Sequence, residues 1–155
     1  MKTSQDIVEF LNALIPSDWF TSPVKIEFDD DEIQIIGTVA ADASLHEFRS
    51  SSRADRMAIA DQLEARFNRK VSWGVEQSGV RTLFTAQSPP ITTRLRLSER
   101  VVLDTLVNAG VARSRSDALG WCVKLVGQHE AEWLANLRGA LIDVARIRDA
   151  GPTSR

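Results

Sequence analysis

The stretch Ile91-Thr92-Thr93-Arg94-Leu95-Arg96-Leu97-Ser98 constrains this chain most, because it alternates in chemistry and then runs directly into two helical patterns. In an extended strand successive side chains point to opposite sides. Thr92, Arg94 and Arg96 therefore share one face, and Thr93, Leu95 and Leu97 share the other. One face is basic and the other apolar.

Ser98 then stands where it can cap a first helix carrying Val101, Val102, Leu103, Leu106 and Val107. That helix should stop near Asn108-Ala109-Gly110, where glycine accepts the left-handed turn that ends many helices. A second helix follows at once. Ser114-Arg115-Ser116-Asp117 places an acid three residues after a serine, the spacing at which cap side chains and first-turn amides exchange hydrogen bonds. Ala118, Leu119, Cys122, Val123, Leu125 and Val126 supply its apolar side.

These residues, about 91–127, resemble the ribbon-helix-helix family of DNA-binding proteins, which includes the Arc and methionine repressors. The resemblance rests on the alternating basic strand, the serine-capped first helix, the glycine turn and the Ser-Arg-Ser-Asp-Ala-Leu opening of the second helix. It implies a homodimer whose strands pair into an antiparallel ribbon in the major groove of double-stranded DNA. On that basis Thr92, Arg94 and Arg96 fall on base-reading positions, and Ser114, Arg115 and Ser116 fall where the second helix holds a phosphate. The chain departs from many relatives in carrying the motif after ninety residues. A further helical pattern follows it: Trp133, Leu137, Ala140, Val144 and Ile147 recur at four-three spacing, widened by Leu134 and Leu141, up to Ala150-Gly151-Pro152. Two heptads are short for an autonomous coiled coil, so this stripe is expected first to pack on the N-terminal domain as part of a core, and second to widen a dimer interface.

The 155 residues suffice for one ordinary domain or two small ones, and 43% hydrophobic content suffices for a packed core. No apolar run approaches bilayer length, and Gln5, Asp6 and Glu9 interrupt the N-terminal segment, so a cytoplasmic protein without membrane association is expected. Residues 1–90 hold 9 Lys and Arg against 14 Asp and Glu, whereas residues 91–155 hold 10 against 7. The later segment is thus the nucleic-acid candidate. Cys122, the single cysteine, sits on an apolar helix face and reads as a buried structural thiol.

The first ninety residues read as a small α-β-β-α-β-β domain, so the fold class is α+β, with domains at 1–88 and 91–150. Residues 4–14 form a helix on Ile7, Phe10, Leu11 and Leu14, ended by Pro16. Val24, Ile26 and Phe28, then Ile33, Ile35 and Ile36, make two strands around the acidic turn Asp29-Asp30-Asp31. Residues 51–68 form a helix burying Met57, Ile59, Ala60, Leu63 and Phe67. Residues 70–75 and 80–85 make a second hairpin around Gln77-Ser78-Gly79, and Ser88-Pro89-Pro90 marks the boundary between domains.

Within this domain Arg49, Arg53 and Arg56 gather with several serines at a helix start, a setting that suits a small anion such as a phosphate. Solvation, or pairing with Asp55, is the plainer alternative. Catalysis, cofactors and metals find no support. His46, placed in a loop, and His129, placed in a helix, have no partner at ligand spacing, the carboxylates of the acidic turn diverge, and Trp19-Phe20 and Trp73 read as core residues. The leading expectation is therefore a dimeric, sequence-specific DNA-binding protein and transcriptional regulator, not an enzyme. Its N-terminal domain would sense a small anionic ligand or recruit a protein. The alternatives are a non-catalytic interaction module, in which strand and helices complete one α+β fold, and an enzyme built on the arginine cluster.

Overall fold

The computed structural model describes residues 4–151 and is mixed α and β, with four strands in one sheet and six helices. It separates into two compact units, one ending at Ile91 and one beginning at Thr92.

In the first unit α1 (Ser4–Asn12) is followed by β1 (Lys25–Phe28) and β2 (Glu32–Thr38). The turn between the strands is closed by its own acid: the Asp29 carboxylate accepts the backbone N–H groups of Asp31 and Glu32 at 2.9 and 2.8 Å. Two consecutive helices follow, α2 (Leu45–Ser51) and α3 (Arg53–Phe67), and then β3 (Lys70–Gln77) and β4 (Val80–Leu83). Ser78 and Gly79 both take positive φ, as a two-residue hairpin turn matched to strand twist requires. The sheet order is β1-β2-β3-β4, antiparallel within each hairpin and parallel between β2 and β3. A parallel pair needs a crossover, which α2 and α3 provide.

Several expectations need correction here. The order is α-β-β-α-α-β-β, because residues 45–51 form a separate helix capped by Ser44, whose side chain accepts the Glu47 N–H. His46 therefore lies in α2 and not in a loop. The long helix starts at Arg53, two residues late, since Ser52 already ends α2. Its inner stripe is Arg56, Ile59, Leu63 and Phe67, while Met57 is 56% exposed. The last strand stops at Leu83.

The core lies where α1 and α3 cover the sheet. Ile7, Leu11, Ile33, Ile35, Leu63, Val71 and Val75 are buried there. Trp19, Phe20, Phe48, Trp73 and Phe84 extend it through edge-on and tilted ring contacts at 5.7 to 6.2 Å. Such rings add about 0.5 to 1.5 kcal/mol per pair beyond the area they bury.

The second unit contains α4 (Leu97–Asn108), α5 (Arg115–His129) and α6 (Ala131–Ala150). Among the described residues, 91–96 pair with no strand of their own chain, and the unit contains no strand. The expected strand is thus absent from the single chain, because an extended segment becomes a strand only against a ladder partner. α4 begins one residue before Ser98: Arg96 takes the cap position and its N–H donates to the Glu99 carboxylate at 2.6 Å. Gly110, at φ 75°, turns the chain after α4, and Val111 and Ala112 donate back to the Leu106 carbonyl. Among the described residues only Leu103, Ala112 and Ala118 are buried in this unit's core, with Leu95, Leu106, Val107, Leu119 and Cys122 packed around them.

The stripe on α6 does not pack into that core. None of its residues is buried, and Trp133, Leu137, Leu141, Val144 and Ile147 are all exposed. A four-three stripe needs a second helix surface of similar length, and α5 approaches α6 only at their shared corner, where Glu130 separates them.

Candidate nucleic-acid interface and arginine cavity

Two groups of residues invite a functional reading, one in each unit.

In the second unit the expected apolar face of residues 92–97 is met at Leu95 alone, since Thr93 and Leu97 are exposed as well. Thr92, Arg94 and Arg96 are exposed, while Leu95 is half-buried against the Leu103 cluster. Two bonds hold the arm to the first turn of α4: Arg96 N–H to Glu99, and the Arg100 Nη1 donating to the Leu95 carbonyl at 2.5 Å. Sequence analysis named neither Glu99 nor Arg100, although Glu99, an acid three residues after the cap, is the signal that could have found the first of these bonds.

The start of α5 is built by Ser114, whose Oγ accepts the Asp117 N–H at 3.2 Å. The return bond is displaced by one residue, because the Asp117 carboxylate accepts from the Arg113 N–H and not from Ser114. Ser116 is exposed beside it. The Asp117 amide is taken by that cap, while the amides of Arg115 and Ser116, which have no intrahelical acceptor, are the ones an anion could use. Arg115 is otherwise engaged: Nε and Nη2 donate as a fork to both oxygens of Asp104 at 2.6 and 2.8 Å, tying α5 to α4. That fork holds the Asp104 carboxyl below the usual carboxylate range and raises the Arg115 guanidinium further, although both side chains are solvent-exposed.

In the first unit Arg49, Arg53 and Arg56 line one cavity of about 550 Å³ with His46, Met57, Trp73 and Phe84. Arg49 comes from the end of α2, and Arg53 and Arg56 come from the first turn of α3. Trp73 belongs to β3, and Phe84 and Thr85 follow β4. Sequence spacing gave the arginines alone, since the sheet residues join them only through the parallel crossover. Thr85 Oγ1 accepts the Trp73 backbone N–H at 2.9 Å, which fixes this edge of the cavity.

Arg56 is buried, at 6% exposure, on the stripe that α3 turns to the core. Its Nε donates to Ser52 Oγ at 2.9 Å, its Nη2 donates to the Arg49 carbonyl at 2.8 Å, and the guanidinium lies 4.9 Å from the Phe84 ring centroid. Arg49 Nη2 donates to the Phe84 carbonyl at 3.2 Å. Among the described residues none of the three arginines pairs with a carboxylate. Asp55, the expected partner, borders a different hollow with Trp19 and Phe48. Burial, and then the neighbouring charges of Arg49 and Arg53, push the Arg56 guanidinium downward. Trp73 is itself 3% exposed, and its indole Nε1 is buried without a hydrogen-bond partner.

Among the described residues no group of three or more His, Cys, Asp and Glu side chains is placed to hold a metal, and no helix is long and apolar enough to cross a membrane. His129 is exposed at the end of α5, and Cys122 is half-buried in the helical core.

Comparison with known proteins matches the two units separately. Residues 5–83 match the family model for the N-terminal domain of Rv1265-like proteins. Residues 96–148 match the model for the Mb1296 C-terminal domain, so Thr92 and Arg94 lie between the two matched segments. Similar proteins include the uncharacterized proteins Mb1296 of Mycobacterium bovis and Rv1265 of Mycobacterium tuberculosis. Each is 49% identical over 156 residues, spanning 93% of this chain and 69% of the relative. No solved structure matches the chain significantly. With both its units matched in order, the chain belongs to the Rv1265-like family.

Proposed function

We propose that this chain is a dimeric, sequence-specific DNA-binding protein whose residues 91–96 pair with those of a second copy and enter the major groove as a two-stranded ribbon. One observation carries the reading. An arm with no strand partner in its own chain turns Arg94 and Arg96 outward and Leu95 inward, and is bonded to the first of two helices. Only an intermolecular pair makes two copies of these arginines into one reading surface. The exposed apolar residues behind the arm, including Val101, Val102, Val123 and Val126, supply the surface that a second copy would bury. In this arrangement Thr92, Arg94 and Arg96 read base edges. The amides at Ser114 to Ser116 hold a phosphate, and Arg115 serves the α4–α5 corner through Asp104. Transcriptional regulation is the role that suits such a protein.

A duplex is first selected from a random pool, and wild type and Arg94→Ala/Arg96→Ala are then titrated on it and on a scrambled duplex at fixed salt. The variant should lose about 1 to 3 kcal/mol per bidentate guanine contact on the selected duplex, and less on the scrambled one. It should remain dimeric. Equal losses on both duplexes would reduce the arginines to bulk charge. Unchanged binding on both would remove the arm from the groove and leave the helical faces to a protein partner.

A further inference from the structure

The arginine cavity of the first unit carries an inference independent of DNA binding. Its lining combines three features that do not belong together in an ordinary core: three guanidiniums, no acidic residue, and an apolar wall that includes Trp73 and Phe84. Each points the same way. A buried cation is costly unless paired, and Arg56 sits on the core-facing stripe with only neutral acceptors. Arg49 and Arg53 add like charge beside it, and raise the attraction for an incoming anion. The cavity volume of about 550 Å³ lies in the range of small-molecule sites, which are mostly apolar with a few convergent polar groups.

We propose that this cavity binds a small organic oxyanion. Its phosphate or carboxylate head would sit on Arg49, Arg53 and Arg56, and its flat or apolar body would lie against Trp73, Phe84 and Met57. Planar guanidinium forks match the geometry of carboxylate and phosphate oxygens, and aromatic walls favour a planar body over a second charged group. His46, at the start of α2, lines the same cavity and gives the head a fourth nitrogen partner.

The test is a titration of the full chain, followed by the indole N–H resonances of its tryptophans, with the Trp73 signal assigned from Trp73→Phe. The probes are phenyl phosphate, benzoate, phenol and inorganic phosphate. Phenyl phosphate or benzoate should shift the Trp73 signal saturably below about 10 mM, with phenol inactive and inorganic phosphate weaker. Which acid binds more tightly identifies the head. Arg53 is exposed, so Arg53→Gln keeps the fold and should weaken binding about tenfold, the scale of one charge-assisted hydrogen bond. Arg113→Gln, an exposed arginine of the other unit, should leave it unchanged. The proposal is overturned if neither acid moves the Trp73 signal, if phenol moves it equally, or if Arg53→Gln binds like wild type. A failure of the DNA titration leaves this result untouched, because the cavity and the variants Trp73→Phe and Arg53→Gln lie in a different unit.

Discussion

The two units put a similar share of apolar residues to opposite use. Among the described residues the first buries a cluster of twelve apolar side chains, from Ile7 to Phe84, whereas the second buries three. The second instead leaves Val123, Trp133, Leu137, Leu141, Ile142, Val144 and Ile147 exposed. A sheet covered by helices on one face closes its own core. Three helices meeting only at consecutive corners cannot, and a unit of roughly 60 residues is marginal when it buries little of its surface. The first unit therefore closes its own core, and the second leaves a long apolar stripe exposed.

Equivalent truncations should expose that difference. Leu63→Ala removes a fully buried side chain from the first core and should cost about 2 to 5 kcal/mol, read as a shift in the denaturant midpoint. The shift should not depend on protein concentration, because no second copy completes that core. A concentration-dependent loss would show that the first unit also relies on assembly, and the contrast would fail.

In the second unit the expected effect is smaller per residue and appears in association. Leu141 is 65% exposed in the single chain, so Leu141→Glu should leave α6 helical. If a second copy covers the stripe, losing that burial is worth about 1.5 to 3 kcal/mol. Sedimentation equilibrium should then show the dimer dissociation constant rising by roughly ten- to a hundredfold. A monomeric wild type at micromolar concentration would remove both the dimer and the ribbon, since they are one interface.

The same contrast governs what was legible in the sequence. Local devices were readable: the acidic turn at Asp29, the Ser78-Gly79 hairpin, the Gly110 stop and the Ser114 cap all act within four residues. What failed was non-local or competitive. Ser44 competes with Ser51 as a helix start, and nothing in the residues 45–51 separates a loop from one short helix. The parallel β2–β3 pairing is set by the crossover and not by strand pattern. Arg56 displaced Met57 on the inner stripe, because a charge on an apolar face reads as a phase error until its cavity is seen. The three arginines of the candidate site were legible as a cluster, whereas Trp73 and Phe84 joined them only through the fold. Arg94 and Arg96 were legible as an exposed face, but residues 91–96 form no strand in the single chain, because alternation supplies a face and not a ladder partner.

Acid titration gives the smallest effect and separates the units by the kind of bond each uses. Asp29 in the first unit is held below the carboxylate range chiefly by the backbone N–H groups of Asp31 and Glu32. Asp104 in the second is held below it chiefly by the Arg115 fork. In both cases the folded-state value is depressed. Each contribution is thus fully present above the unfolded value near pH 4, and is lost as pH falls through the lower folded value. The raised Arg115 value lies far above neutral pH and does not alter this window. Between about pH 5 and 2, wild type should lose more stability than Asp29→Asn or Asp104→Asn, which have no proton to take up at those sites. Ionic strength then distinguishes them. The Asp104 increment rests on two exposed opposite charges and should shrink at about 1 M salt, where the screening length is about 3 Å. The Asp29 increment rests on backbone hydrogen bonds and should persist largely unchanged. Equal salt sensitivity at the two sites would mean that the corner between α4 and α5 is not held by its ion pair.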